Sequence, residues 1–169
     1  MKGIDPVTGW LKTIAGAHHE VHEGDYYEAF YSVASIGALT TTDDTMQITW
    51  TSPDSTKFMN LIINANCGAT ALFKFTEAPT GGDATASGTL VGYNKNRSYP
   101  NSPITFSYDG TVVTGGRVLE SEYLSGGKFG AGESRSGQEW ILRPNTKYAV
   151  SLYLNAAEPA AINLGWYMK

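Results

Sequence analysis

Apolar and polar residues alternate along most of this chain, and a period of two is the signature of half-buried strands. Met46, Ile48 and Trp50 interleave with Gln47, Thr49 and Thr51, which predicts a strand with one buried and one wet face. The pattern returns where Ala71, Phe73 and Phe75 alternate with Leu72, Lys74 and Thr76. It returns again at Ile104, Phe106 and Tyr108, and at Ile162, Leu164, Trp166 and Met168. Residues 26–33 form an aromatic-rich strand candidate. Residues 58–63 are apolar on both faces and predict a central strand. Stretches 91–94 and 118–124 are further candidates.

The clearest local signal is a pair of runs, 139–142 and 147–154, separated by Arg143-Pro144-Asn145-Thr146. Proline presets φ and asparagine tolerates tight corners, so the four residues read as the turn of a hairpin whose first strand is buried. The hairpin sets the class as antiparallel β. Turn chemistry also marks residues 52–56 and the Asp109-Gly110 pair, and glycine-rich loops are expected at 80–88 and 126–132. Eight to ten strands result, with no helical apolar period. The predicted fold is all-β, an antiparallel jelly-roll-like β-sandwich over residues 25–169, with its last strand built into a sheet. Residues 1–24 differ. They are turn-rich, with Trp10, Leu11 and Ile14 apolar but not periodic, and predict an extended N-terminal arm packed on the domain or on a neighbouring subunit.

Composition narrows the function. The 169 residues suit one domain with a sizeable core. Only 17% are charged, while 19 glycines fit many short strands and turns. Net charge is −4 with lysines and arginines scattered singly, so no nucleic-acid partner is expected. No apolar run approaches a membrane span, and no membrane partner is expected. The start Met1-Lys-Gly-Ile-Asp-Pro lacks a signal-peptide core, so folding in the cytoplasm where the chain is made is expected. The single cysteine, Cys67, ends an apolar strand and reads as a buried, inert thiol.

Candidate chemistry is sparse. His18, His19, Glu20, His22, Glu23 and Asp25 cluster within eight residues. On an extended chain His18, Glu20 and His22 would share a side, as metal ligands must. The favoured reading is without metal: imidazoles and carboxylates fix the arm to the domain or to a neighbour through hydrogen bonds. Asp43-Asp44 and Glu120/Glu122 are the carboxylate pairs, and both read as solvated surface groups rather than a glycosidase pair. There is no Gly-x-Ser-x-Gly elbow, and neither glycine-rich loop has a phosphate-cradle ending. No catalytic residue and no cofactor are expected. Of the 10 tyrosines, Tyr93 and Tyr99 are the candidates for stacking on sugar rings.

Several segments in order carry a resemblance: His18-His-Glu-Val-His-Glu-Gly24, Thr51-Ser-Pro-Asp-Ser-Thr-Lys-Phe58, Tyr93-Asn-Lys-Asn-Arg-Ser98, Glu139 to Tyr148, and Leu164-Gly-Trp-Tyr167. Over residues 3–167 the chain resembles small structural proteins of tailed bacteriophages, the head decoration, cement or head-fibre-like proteins. That resemblance implies a jelly-roll-like fold, a homo-oligomer that is trimeric, a place on the outer capsid surface of the virion, and no enzyme activity. The partner expected is then the major capsid protein, and the arm's own residues, Trp10, Leu11, Ile14, His18, His19, Glu20 and His22, are the expected capsid or subunit contacts, since docking would bury the apolar ones. The alternative is a module of a tail or head fibre that binds a host-surface glycan through Tyr93 and Tyr99.

Overall fold

The computed structural model describes residues 2–4, 11–13, 21, 23–33, 45–82, 87–125, 139–154 and 158–169. Within the arm, β1 (Lys2–Ile4) and β2 (Leu11–Thr13) pair antiparallel and join neither of the other sheets. Trp10, Ile14, His18, His19, Glu20 and His22 lie outside the described residues, as do Asp43, Asp44 and the loop expected at 126–132.

The rest is a two-sheet antiparallel sandwich. Its strands are β3 (Tyr26–Val33), β4 (Thr45–Thr51), β5 (Met59–Cys67), β6 (Ala71–Glu77), β7 (Gly88–Val91), β8 (Tyr93–Asn94), β9 (Thr105–Tyr108), β10 (Arg117–Leu124), β11 (Glu139–Leu142), β12 (Lys147–Leu154) and β13 (Ala160–Met168). The larger sheet runs β10-β6-β12-β4-β9-β7 and the smaller β11-β5-β13-β3-β8. From β3 to β6, and again from β10 to β13, every step crosses from one sheet to the other.

The alternation read from sequence supplies the core. Phe73, Phe75, Ile48, Phe106, Ile162, Leu164 and Trp166 turn inward and are fully buried. Burying each such side chain stabilises by about 1.5–3 kcal/mol. Aromatic rings run in contact from one side of the sandwich to the other. Trp140 meets Phe75 edge-on at 5.4 Å, Trp50 lies 6.3 Å from Phe75 and 5.6 Å from Phe106, and Phe106 lies 4.8 Å from Trp166. Tyr27 closes the row 5.9 Å from Trp166. This row joins strands of both sheets and places β11 beside β6 and β13 beside β9.

Four expectations are corrected. The runs 139–142 and 147–154 are not a hairpin: β11 pairs with β5 in the smaller sheet, and β12 lies between β4 and β6 in the larger. Their linker is a corner between sheets. Asn145 takes φ 48° there, and Ser52 pins the corner, accepting from the Thr146 N–H at 3.0 Å and donating to the Arg143 carbonyl at 2.5 Å. A Pro-Asn turn reads alike whether its flanking strands pair or part. Being an edge strand, β11 is buried on one face only: Leu142 is 2% exposed and Trp140 packs on the core, while Ile141 is 69% exposed.

Second, the polar face of β4 is buried. Gln47 and Thr49 are each 1% exposed: the segment after Asp109 lies over Gln47, and Gly82 lies against the Thr49 methyl. Gln47 donates to the Thr111 carbonyl at 3.2 Å and accepts from the Val113 N–H at 3.1 Å. Third, Phe58 lies outside β5 and is 52% exposed. Fourth, 91–94 is not one strand: the chain leaves the larger sheet after Val91 and enters the smaller at Tyr93. Gly92 makes that passage, because a Cβ there would stand 2.3 Å from the Trp166 ring. Cys67 is buried as expected, and burial pushes its thiol pKa up.

Candidate functional site

The smaller sheet has β3 and β8 at one border. Period two turns Tyr27, Ala29, Tyr31 and Val33 of β3 toward the core, leaving Tyr26, Glu28, Phe30 and Ser32 on the outer face. Glu28 pairs with Tyr93 of β8, so those two side chains share that face. Phe30 stands two residues along from Glu28 and is 56% exposed.

The loop leaving β8 is held by one buried amide. Asn94, 1% exposed, donates to the Gly24 carbonyl at 2.6 Å and to the Pro100 carbonyl at 3.2 Å. Its side-chain oxygen accepts from the Asn96 N–H at 2.9 Å. Asn96 repeats the move on the Ser98 N–H at 3.2 Å, an Asx-type turn, and the Tyr99 N–H returns to the Asn96 carbonyl at 3.0 Å. The Lys95 N–H reaches the Tyr26 carbonyl at 2.9 Å. With its backbone so occupied, the loop presents Tyr93, Lys95 and Arg97 at alternate positions from a fixed frame.

Between loop and sheet lies a groove of ≈ 220 Å³ lined by Glu28, Phe30, Tyr93, Asn94, Lys95 and Arg97. Lys95 Nζ stands 2.6 Å from Glu28 Oε2, and Asn163 Nδ2 donates to Glu28 Oε1 at 2.8 Å. The Arg97 guanidinium lies over the Tyr93 ring, 5.6 Å from its centroid. Two cations and one carboxylate leave the lining with one surplus positive charge, in a chain whose net charge is −4. Beside the groove, burial first and then the charges of Glu28 and Glu139 raise the Tyr26 pKa, so Tyr26 remains a neutral phenol through the physiological range.

Comparison with known proteins is silent. No family model, no curated protein and no solved structure matches this chain.

Of the residues singled out in the sequence, Tyr93 lines the groove and is 55% exposed. Tyr99 does not join it. Its ring lies against Gly24, where φ is +81° and a Cβ would come within 2.5 Å of the ring. Glu120 and Glu122 are not free surface carboxylates. They pair with Phe75 and Phe73 across an inward-turned row of β10 and β6, and both are half-buried. Among the described residues no three His, Cys, Asp or Glu side chains come together as metal ligands would. Sequence reasoning missed Glu28, Phe30, Lys95 and Arg97. An apolar Phe30 at a polar-face position of an alternating strand was a usable signal. So was the 93, 95, 97 spacing of Tyr, Lys and Arg. The pairing of β3 with β8, sixty-odd residues apart in the chain, left no local trace.

Proposed function

We propose that the protein is a decoration protein of a tailed-bacteriophage capsid, a trimer that seats on the outer head surface and bridges capsid subunits without catalysis. The observation that carries this reading is the side of the sandwich where β10 and β11 form the neighbouring borders of the two sheets. Val118 and Tyr123 on β10 are 51% and 76% exposed, and Ile141 on β11 is 69% exposed. Apolar side chains on border strands invite association, and a closed ring of copies covers them where an isolated chain leaves them wet. The strand order supports the jelly-roll form of the fold. Taken as β3, β4, β5, β6, β10, β11, β12 and β13, the strands lie β3-β13-β5-β11 in one sheet and β4-β12-β6-β10 in the other, the double Greek key. The resemblance of the ordered sequence segments to phage head proteins supplies the virion context.

Co-sedimentation with expanded heads of the source phage tests the proposal, alongside the mass of the free protein in solution. Saturation at a fixed number of trimers per capsomer junction is expected, and Ile141→Glu with Tyr123→Glu should leave folded monomers that no longer bind. A wild-type chain that is monomeric and ignores heads would sink it. A second reading, recognition of a host-surface glycan, is favoured by the groove at Tyr93, whose exposed rings beside polar groups have the makeup of a sugar site.

A further inference from the structure

We infer that the groove between β3 and the 93–102 loop takes an acidic sugar, a single carboxylated ring of a surface polysaccharide, with Arg97 gripping the carboxylate and Phe30 carrying the ring. The inference rests on the glycan reading and names its substrate class.

Charge decides between acidic and neutral sugars. The Glu28 carboxylate already has a cation at 2.6 Å on one oxygen and an amide donor at 2.8 Å on the other. Its charge is therefore met within the chain. Arg97 is the surplus cation, positioned by the face of Tyr93. A π contact fixes a guanidinium without consuming its N–H donors, and the planar fork fits a carboxylate two-for-two. One surplus charge is too little for a phosphate-rich polymer such as a nucleic acid, yet it matches one carboxylate per ring.

Shape assigns the platform. Tyr93 already carries Arg97, so the ring available for stacking is Phe30, 56% exposed with no polar group of its own to justify its place on a wet face. The apolar C–H face of a pyranose is the partner such a ring lacks. The groove, ≈ 220 Å³, is smaller than the roughly 300–1,000 Å³ of sites for drug-sized ligands, so it holds one ring while the polymer continues across the surface. Asn94 freezes the loop beforehand, which lowers the ordering cost of a weak, repeated contact.

The test titrates the full chain, by ligand-observed NMR, with trisaccharides ending in galacturonate, glucuronate or N-acetylneuraminate, each beside its neutral methyl ester. At least one acid should bind, with its ester weaker by on the order of tenfold or more, the range of a lost charge-assisted hydrogen bond. Arg97→Ala should erase the difference between acid and ester, and Phe30→Ala should weaken both. Melting temperatures show that the two surface variants remain folded. Esters binding as tightly as acids, with Arg97→Ala indifferent, would overturn the acidic assignment and leave the glycan reading standing. No binding by any sugar of the panel would overturn both.

Discussion

Adding one methyl group at Gly92 tests the packing that aims the groove. In Gly92→Ala the new carbon would stand 2.3 Å from two ring carbons of Trp166 and 3.0 Å from Ser102 Cβ. Carbon atoms prefer about 3.5–4.0 Å, so the clash exceeds 1 Å. Trp166 cannot retreat: it is 0% exposed, with Phe106 on one side at 4.8 Å and Tyr27 on another at 5.9 Å. The backbone must move instead, against the 2.8 Å hydrogen bond from the Ser102 N–H to the Gly92 carbonyl. Overpacking of this kind costs about 1–3 kcal/mol. For a domain of this size that lowers the melting temperature by roughly 2–12 °C. Calorimetry of the wild type, Gly92→Ala, Trp166→Phe and the double variant reads the coupling directly, because the smaller ring should make room for the methyl. A Gly92→Ala melting within about a degree of wild type, or additive losses in the double variant, would refute the steric account. Since Tyr93 follows Gly92, the single variant should also weaken whatever binds the groove.

Three further outcomes are expected. Ser52→Ala removes the side chain that holds the sheet-to-sheet corner and leaves the Thr146 N–H unmet, costing about 1–3 kcal/mol in denaturant unfolding, whereas Ser55→Ala at an exposed turn should be silent. Trp140→Ala should cost about 2–4 kcal/mol, toward the lower part of the core range because the ring is only partly buried; an unchanged melting temperature would remove it from the aromatic row. Burial raises the pKa of Tyr26, Tyr27, Tyr31 and Tyr148 above 10.0. Raised folded values mean that their contribution is full below the unfolded pKa and is lost as pH climbs through the folded ones. Stability should therefore hold to about pH 10 and then fall cooperatively, with tyrosinate absorbance appearing together with unfolding; gradual titration of all four in a still-folded protein would contradict this.

The parts of the fold written in local alternation were legible. Tyr26–Val33 and the inward row of Ala71, Phe73 and Phe75 stand where their pattern places them. Partnership was not legible, because side-chain period says which face a residue takes and nothing of which sheet it joins. The corner at Pro144-Asn145 shows this, as does Gln47, whose burial depends on a segment more than sixty residues later. The site follows the same rule. Tyr93 was visible as one aromatic among polar residues, but the groove exists only because β3 and β8 meet and because Asn94 ties the loop to Gly24.

The aromatic row has an optical consequence. Trp50, Trp140 and Trp166 are three of the chain's four tryptophans, and all lie in that row. The indole N–H groups of Trp50 and Trp166 are buried and donate to no described residue, so their excited states relax in a nearly dry, apolar setting. Native emission should be blue-shifted and should move red in one step as the sheets part. The fourth indole, Trp10, belongs to the N-terminal segment, so a Trp10→Phe chain would show the sandwich alone. Subtracting its spectrum from that of the wild type would isolate a single intrinsic fluorophore near the N-terminus, and under the proposed function its emission should change on mixing with phage heads, without any attached dye.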